Sequence, residues 1–354
     1  MTLGETILPT TSIDTFFACT LIVSVAIIAT AFIAETMQTQ INSMQNLNKQ
    51  DYLRNIADHI VTSCGEPPNW GSTNNPPTSF GLSTNYNDRL YELDVDKITR
   101  LNSSNEFALS YPSAFIAARL NNIALGVSVS QMLDLNIKLL QNSTLINSTE
   151  YTFQISVNQD AKPVTANLNC YIVATNFLDT ASNSTSNSGV GQITIGIPNS
   201  SNGSSTLVAF ARATFDERIT AFAVFSFEHL SINSQPIPPF ASLSPLNNTL
   251  NVHTNYPNTI IENIYAFTYK YQSNLNLTSN NTCAIPPFID KSPTVLIVHG
   301  SSDTTQFNEW TTYPQVPLSF GADFSHSEIN AFVYPVIIND ALYKLTLLFG
   351  DVVN

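Results

Sequence analysis

The chain has 354 residues, enough for two or three domains with sizeable cores, yet only 11% of them are charged, against roughly 25% in ordinary soluble domains. Hydrophobic residues make up 43% of the chain, so the low charge is not the signature of disorder. With 13 basic residues against 26 acidic ones the net charge is -13 and no Lys/Arg cluster occurs, which argues against nucleic-acid binding and against docking on anionic lipid, since both need a basic face.

From Phe16 to Ala34 the chain reads FFACTLIVSVAIIATAFIA, uncharged and flanked by Asp14 and Glu35. That length crosses a hydrocarbon core as a helix, and no comparable run follows. A cleaved secretory signal carries a basic n-region, whereas residues 1–15 hold no Lys or Arg. Ala29-Thr30-Ala31 supplies the small residues of a cleavage site, but a retained anchor is preferred to a signal and to a buried core helix. Residues 1–35 are therefore expected to form a tail and transmembrane anchor, with the membrane as partner through residues 16–34. Beyond them, Met37, Ile41, Met44 and Leu47 fit one helical stripe and Leu53, Ile56 and Ile60 a second, slightly rotated one. One helix from about Asp14 to Val61 is expected, roughly 70 Å long at the usual rise per residue.

That helix ends in HIVTSCGEPPNWGS, residues 59–72. Gly65 suits a helix C-terminus and Pro67-Pro68 cannot continue one. Trp70 offers a large apolar anchor for the exit loop, and His59 sits in the last turn, where an imidazole beside free carbonyls is ordinary. One His and one Cys are too few for a metal. Gly65, Pro67, Pro68 and Trp70 are thus read as a structural corner.

This corner, with PTSFGLS at 77–83, LDVDKITRLNSS at 93–104 and TSIDTFFACTLIV at 11–23, resembles archaeal type IV pilin-like envelope proteins over about residues 11–120. In that family a helix ends in a Ser-Pro-Gly-x-Pro-x-x-Trp-like turn, followed by a Gly-Leu-Ala-like segment and a Leu-Asp-x-x-Lys-like helix. Here Cys64 stands where Pro is common, Gly81-Leu82-Ser83 replaces Gly-Leu-Ala, and residues 1–13 contain Gly4 but no basic residue of the kind that precedes the pilin processing junction. The resemblance implies an extracytoplasmic, single-pass envelope protein, with other envelope or pilin-like proteins as partners.

Two short helices follow, DVDKITRLN starting at Asp94 and PSAFIAARL starting at Tyr111-Pro112. From Met132 the period changes to two: Leu133, Leu135, Ile137 and Leu139 alternate with polar residues, as do Tyr151, Phe153, Ile155 and Val157. NLNCYIVATN, QITIGI, STLVAFARATF and RITAFAVFSF continue the series, and IIENIYAFTYKY, TVLIVHG, INAFVYPVII and ALYKLTLLFG form a second one. The expected class is α+β: a long N-terminal helix, a small α-rich neck, then mainly β structure in two immunoglobulin-like sandwiches. The boundaries are 36–131 for the amphipathic helix and neck, 132–231 for the first sandwich, 232–248 for a Pro-rich linker and 249–354 for the second sandwich.

Asn-x-Ser/Thr acceptors fall at Asn102, Asn142, Asn147, Asn183, Asn199, Asn202, Asn247, Asn276 and Asn280, many in turn-like stretches where a glycan can be carried. The composition generates such triplets by chance as well. Among Cys64, Cys170 and Cys283 at most one intramolecular disulfide can form, and small buried hydrophobes are the competing role. TVLIVHGSSD at 294–303 is similar to the oxyanion-loop strand of α/β-hydrolases, but the Gly-x-Ser-x-Gly elbow that fold requires occurs nowhere. The five histidines show no ligand spacing, and no phosphate-binding glycine loop is present. No catalytic residue, metal or cofactor is expected. The expected function is a membrane-anchored, glycosylated structural or adhesive envelope protein with its large domain outside. The alternatives are a filament-forming pilin subunit and an extracellular hydrolase with a nonlocal site.

Overall fold

In a computed structural model, residues 11–84, 89–120, 123–230, 239–287, 290–303, 305–322, 324 and 329–351 are described. The expected N-terminal tail lies largely outside them. The chain divides into two units, Met1–Ile56 and Ala57–Asn354.

The described residues of the first unit belong to the single helix Thr11–Thr62. The segment Phe16–Gln40 is long and apolar enough to cross a membrane, and none of it is buried. Its few hydroxyls are satisfied within the helix: Thr20 donates to the Phe16 carbonyl at 3.0 Å, Ser24 to Thr20 at 2.7 Å and Thr30 to Ala26 at 2.9 Å. Such internal bonding lowers the cost of placing hydroxyls in hydrocarbon.

In the second unit the helix closes with Ala57, Ile60 and Val61 buried. Two short helices, Val95–Thr99 and Tyr111–Ala118, follow. Asp94 caps the first by accepting from the backbone N–H groups of Asp96 and Lys97 at 2.9 and 3.1 Å. Among the described residues the paired strands that follow are all antiparallel.

The first sandwich packs an outer sheet of Asp134–Thr144, Ser148–Gln159, Lys162–Pro163 and Val190–Pro198 on an inner one, ordered Phe177–Ser184, Ala166–Ala174, Gly203–Ala213, Thr220–His229. Between them lie Phe153, Ile155, Val157, Leu168, Cys170, Ile193 and Leu207. The second packs Ala241–Leu246, Thr249–Thr254 and Thr282–Ala284 on an inner sheet ordered Gln272–Leu275, Thr259–Phe267, Thr294–Ser302, Thr305–Tyr313. Its core contains Leu250, Val252, Ile264, Cys283 and Leu296.

The two inner sheets also bury their other faces in one shared cluster. Tyr171, Val173, Val208, Phe210 and Phe222 of the first meet Tyr265, Phe267, Val295 and Ile297 of the second, with Tyr171 and Phe267 stacked at 4.8 Å. Burial on both faces explains why STLVAFARATF and TVLIVHG read as near-continuous apolar runs, whereas Ser148–Gln159 alternates.

The expected boundaries differ from this arrangement in three places. Residues 249–354 do not form one sandwich: Ile329–Ile338 and Ala341–Asp351 join Leu318–Gly321 and Ile123–Gln131 in a separate sheet, so the last residues assigned to the neck are a strand paired with the distant Ala341–Asp351. The register sets Val127 opposite Leu347 and Val129 opposite Leu345, all four buried. Within the expected linker 232–248, residues 241–246 form an edge strand, which tolerates Pro245 because its outward side needs no ladder donor; residues 232–238 lie outside the described residues. The polar Phe177–Ser184, with no apolar alternation to mark it, is also an edge strand.

The stacked Phe267 is fully buried, so Phe267→Ala is expected to cost about 3–5 kcal/mol through lost transfer energy and the cavity left behind. Chemical denaturation of the full-length protein in detergent checks this.

Candidate functional site

The sequence corner sits at a node where three chain segments meet. Ser63 N–H still closes the helix on the His59 carbonyl at 2.8 Å, and Gly65 then turns the chain at φ 71°. A side chain at Gly65 would place Cβ 2.5 Å from the Ser79 carbonyl oxygen, and one at Gly81 would lie 2.4 Å from that of Ser63. Two backbone stretches therefore cross in direct contact, which is what glycine permits. Pro67 is half-buried and Pro68 exposed. Trp70 is fully buried, packs on Phe80 at 5.9 Å between ring centroids and donates its indole N–H to the Gly81 carbonyl at 3.0 Å.

Sequence reasoning missed the cations of this node. Lys97 is fully buried and donates from Nζ to the carbonyls of Cys64 at 2.9 Å and Ser83 at 2.7 Å. Burial pulls its pKa below the usual lysine value, opposed by the nearby Asp94 charge. Arg100 donates to the carbonyls of Trp70, of Phe107 at 2.9 Å and of Asn75 at 3.1 Å, with its guanidinium 5.7 Å from the tryptophan ring. Asp96 accepts from the Tyr313 hydroxyl at 2.6 Å and from Asn247 N–H at 2.8 Å; desolvation raises its pKa despite these bonds. The two cations are committed to backbone carbonyls, so the node holds the chain. The only sequence signal was two cations three residues apart in a short helix just after a Trp-bearing corner.

His59 is exposed and Cys64 half-buried. Cys170 and Cys283 are free, each buried in a different sandwich core, where desolvation pushes the thiols up to about 12 and about 11. Among the described residues no group of three or more His, Cys, Asp and Glu is placed to hold a metal; His326 lies outside them.

The hydrolase-like strand Thr294–Ser302 runs inside an antiparallel sheet, whereas the hydrolase fold it resembled is built on a parallel one. His299 is buried, with Nδ1 2.7 Å from Asn308 Oδ1 and Nε2 3.3 Å from Glu262. Asn308 uses its amide N–H groups on the Val173 and Ser204 carbonyls, so its oxygen accepts from the imidazole. Ser301 donates to Glu262 at 2.8 Å and not to the histidine, which leaves no serine–histidine relay. His229 is buried between the Tyr151 hydroxyl at 2.9 Å and the Pro198 carbonyl at 3.0 Å. Since the carbonyl can only accept, Nε2 carries the proton and Nδ1 accepts from tyrosine.

The nine sequons are not equivalent. Asn142, Asn147, Asn202, Asn247, Asn276 and Asn280 are exposed, the first two flanking the tip of the Asp134–Thr144/Ser148–Gln159 hairpin. Asn102 is half-buried and bonds the Ser104 N–H through Oδ1 at 2.9 Å. Asn183 is exposed too, but donates from Nδ2 to the Gln192 carbonyl at 2.5 Å. Asn199 is half-buried, with Nδ2 donating to the Leu145 and Ile146 carbonyls and Oδ1 accepting from Thr149.

No protein-family model and no curated protein matches the sequence. Among solved structures, HBP35 of Porphyromonas gingivalis is similar at 11% identity over 51% of this chain, with a TM-score of 0.19. A red sea bream transglutaminase is similar at 10% identity over 51% of this chain, with a TM-score of 0.20. The chain spans 63% of the first protein and 31% of the second.

Trp70→Ala is expected to destabilise the node by about 3–5 kcal/mol, read as a lowered unfolding midpoint. An unchanged midpoint would show that the corner does not depend on the ring. Desolvation lowers the His229 pKa from its ordinary 6.5. The unfolded chain therefore binds the proton first, and stability falls as pH drops through the unfolded value and toward the lower folded one. The difference in thermal midpoint between pH 7.5 and pH 5 should shrink in His229→Gln.

Proposed function

We propose that the protein is a membrane-anchored, extracytoplasmic, N-glycosylated structural or adhesive protein of the cell envelope. The observation that carries this reading is the Phe16–Gln40 helix segment, unburied and with its hydroxyls satisfied internally. An apolar surface of that length is stable in a bilayer and costly in water. Seven exposed sequons on the β-rich unit support an outward orientation. Within this reading the cation-locked node is scaffolding, and binding falls to loops at the sandwich ends. The resemblance over residues 11–120 supports an archaeal envelope setting. The same helix surface would also serve a filament core, where Ala18, Ser24, Ala26 and Ala29 allow close approach of neighbouring helices.

Membranes from expressing cells are extracted with alkaline carbonate, and intact cells are treated with protease. The protein should stay with the membrane, and the β-rich unit should be cut from outside. A soluble mature chain starting near residue 32 would refute anchoring. Glycopeptide mapping should find glycan at Asn142 and Asn147 and none at Asn199, whose amide nitrogen is already engaged; an unmodified protein from its own host would remove the glycoprotein part. Electron microscopy separates the filament reading, which requires regular fibres from the full-length protein.

A further inference from the structure

A cavity of about 410 Å³ opens on the β-rich unit, with Arg212, Lys270, Tyr271, Lys291 and Asn339 in its lining. The volume suits a small molecule. Arg212 projects from the inner strand Gly203–Ala213 with only 8% of its side chain exposed. Its guanidinium lies 4.0 Å from the centre of the Tyr269 ring, and Nε donates to the Thr220 hydroxyl at 2.9 Å. Nη2 is shut off from solvent, with no hydrogen-bond partner among the described residues, which leaves Nη1 as the donor that can meet a ligand. The carboxylate facing Nη2, Asp290, stands at 3.9 Å, beyond hydrogen-bond reach.

Asp290 is occupied elsewhere. One oxygen accepts from the Thr268 hydroxyl at 3.1 Å and Lys270 N–H at 2.8 Å, and the other from the Ser292 hydroxyl. Glu217 pairs with Lys291, and Asp340 with Arg89. The Lys270 ammonium makes no ion pair or hydrogen bond among the described residues. A guanidinium held to Asp290 only by a long ion pair and an ammonium without a bond among the described residues therefore share a cavity in which Glu217 and Asp340 already have cationic partners.

We propose that this cavity binds a small hydroxylated monocarboxylate, an acidic sugar. Its carboxylate lies between Arg212 and Lys270, with the guanidinium already stacked and oriented by Tyr269. Hydroxyl groups donate to Glu92 and Asn339, which also line the cavity, and the Tyr271 ring offers an apolar face to the sugar's C–H groups. Glu92, Glu217 and Asp340 in the lining disfavour a dianion such as phosphate, and a polyanion more so. This site does not depend on the anchored-envelope reading, and neither outcome below bears on membrane association.

The full-length protein in detergent is titrated with sodium glucuronate by calorimetry, with glucose and inorganic phosphate as comparisons. Saturable glucuronate binding is expected, weakened at least tenfold in Lys270→Ala and lost in Arg212→Gln, with no saturable glucose binding. Lys270 is exposed and makes no side-chain bond, so its variant remains informative if Arg212→Gln does not fold. Absence of saturation by glucuronate, an unchanged affinity in Lys270→Ala, or equal binding of glucose or phosphate would overturn the proposal.

Discussion

A lysine ammonium shut off from water must be hydrogen-bonded or it will not stay charged, and the Lys97 side chain meets that demand with two backbone carbonyls from different parts of the chain. Cys64 belongs to the turn after the long helix, and Ser83 to the segment that recrosses it. Holding both oxygens fixes where the helix ends, where Gly81 passes Gly65, and hence where the indole of Trp70 can lie. Arg100 repeats the device one turn later on the Trp70 carbonyl. Asp96, between them, reaches the other way to Tyr313 and Asn247, so the same short helix ties the node to the second sandwich. Five residues of helix thus carry the organisation that their length alone could not sustain.

Much of the fold was legible because its signals are local. Proline and glycine marked the end of the helix, Asp94 its successor's cap, and period-two alternation the strands with one wet face. What the sequence concealed follows from nonlocal burial. Thr294–Ser302 reads as an enzyme-like apolar strand because it is covered on both faces, a consequence of two sandwiches meeting through their inner sheets. Phe177–Ser184 and residues 241–246 escaped notice for the opposite reason, since edge strands carry polar residues or proline without penalty.

The functional residues divide the same way. Trp70 could be picked out as an anchor because its neighbours force a turn. Lys97 and Arg100 look in sequence like a solvated helix face, and only the surrounding carbonyls reveal otherwise. Arg212, the turn that carries Thr268 and Lys270, and Asp290 come from separate parts of the chain, so their juxtaposition has no spacing to betray it. The sequons stand between these cases: the triplet is visible in the chain, but whether its amide nitrogen is engaged, as at Asn199, is set by a neighbouring hairpin.

The pairing of Ile123–Gln131 with Ala341–Asp351 constrains how the protein is made. A chain emerging from its amino end presents the earlier strand long before the later one exists. In that interval Val127 and Val129 lack the neighbours that will bury them, and a ladder of backbone donors and acceptors stands vacant. Closing so distant a contact is slow, because the entropy of the intervening loop is lost before the contact repays it. The sandwiches can fold meanwhile as units of their own. The final sheet works like a clasp fastened last, and until then its waiting strand is an open edge of the kind that invites wrong pairing.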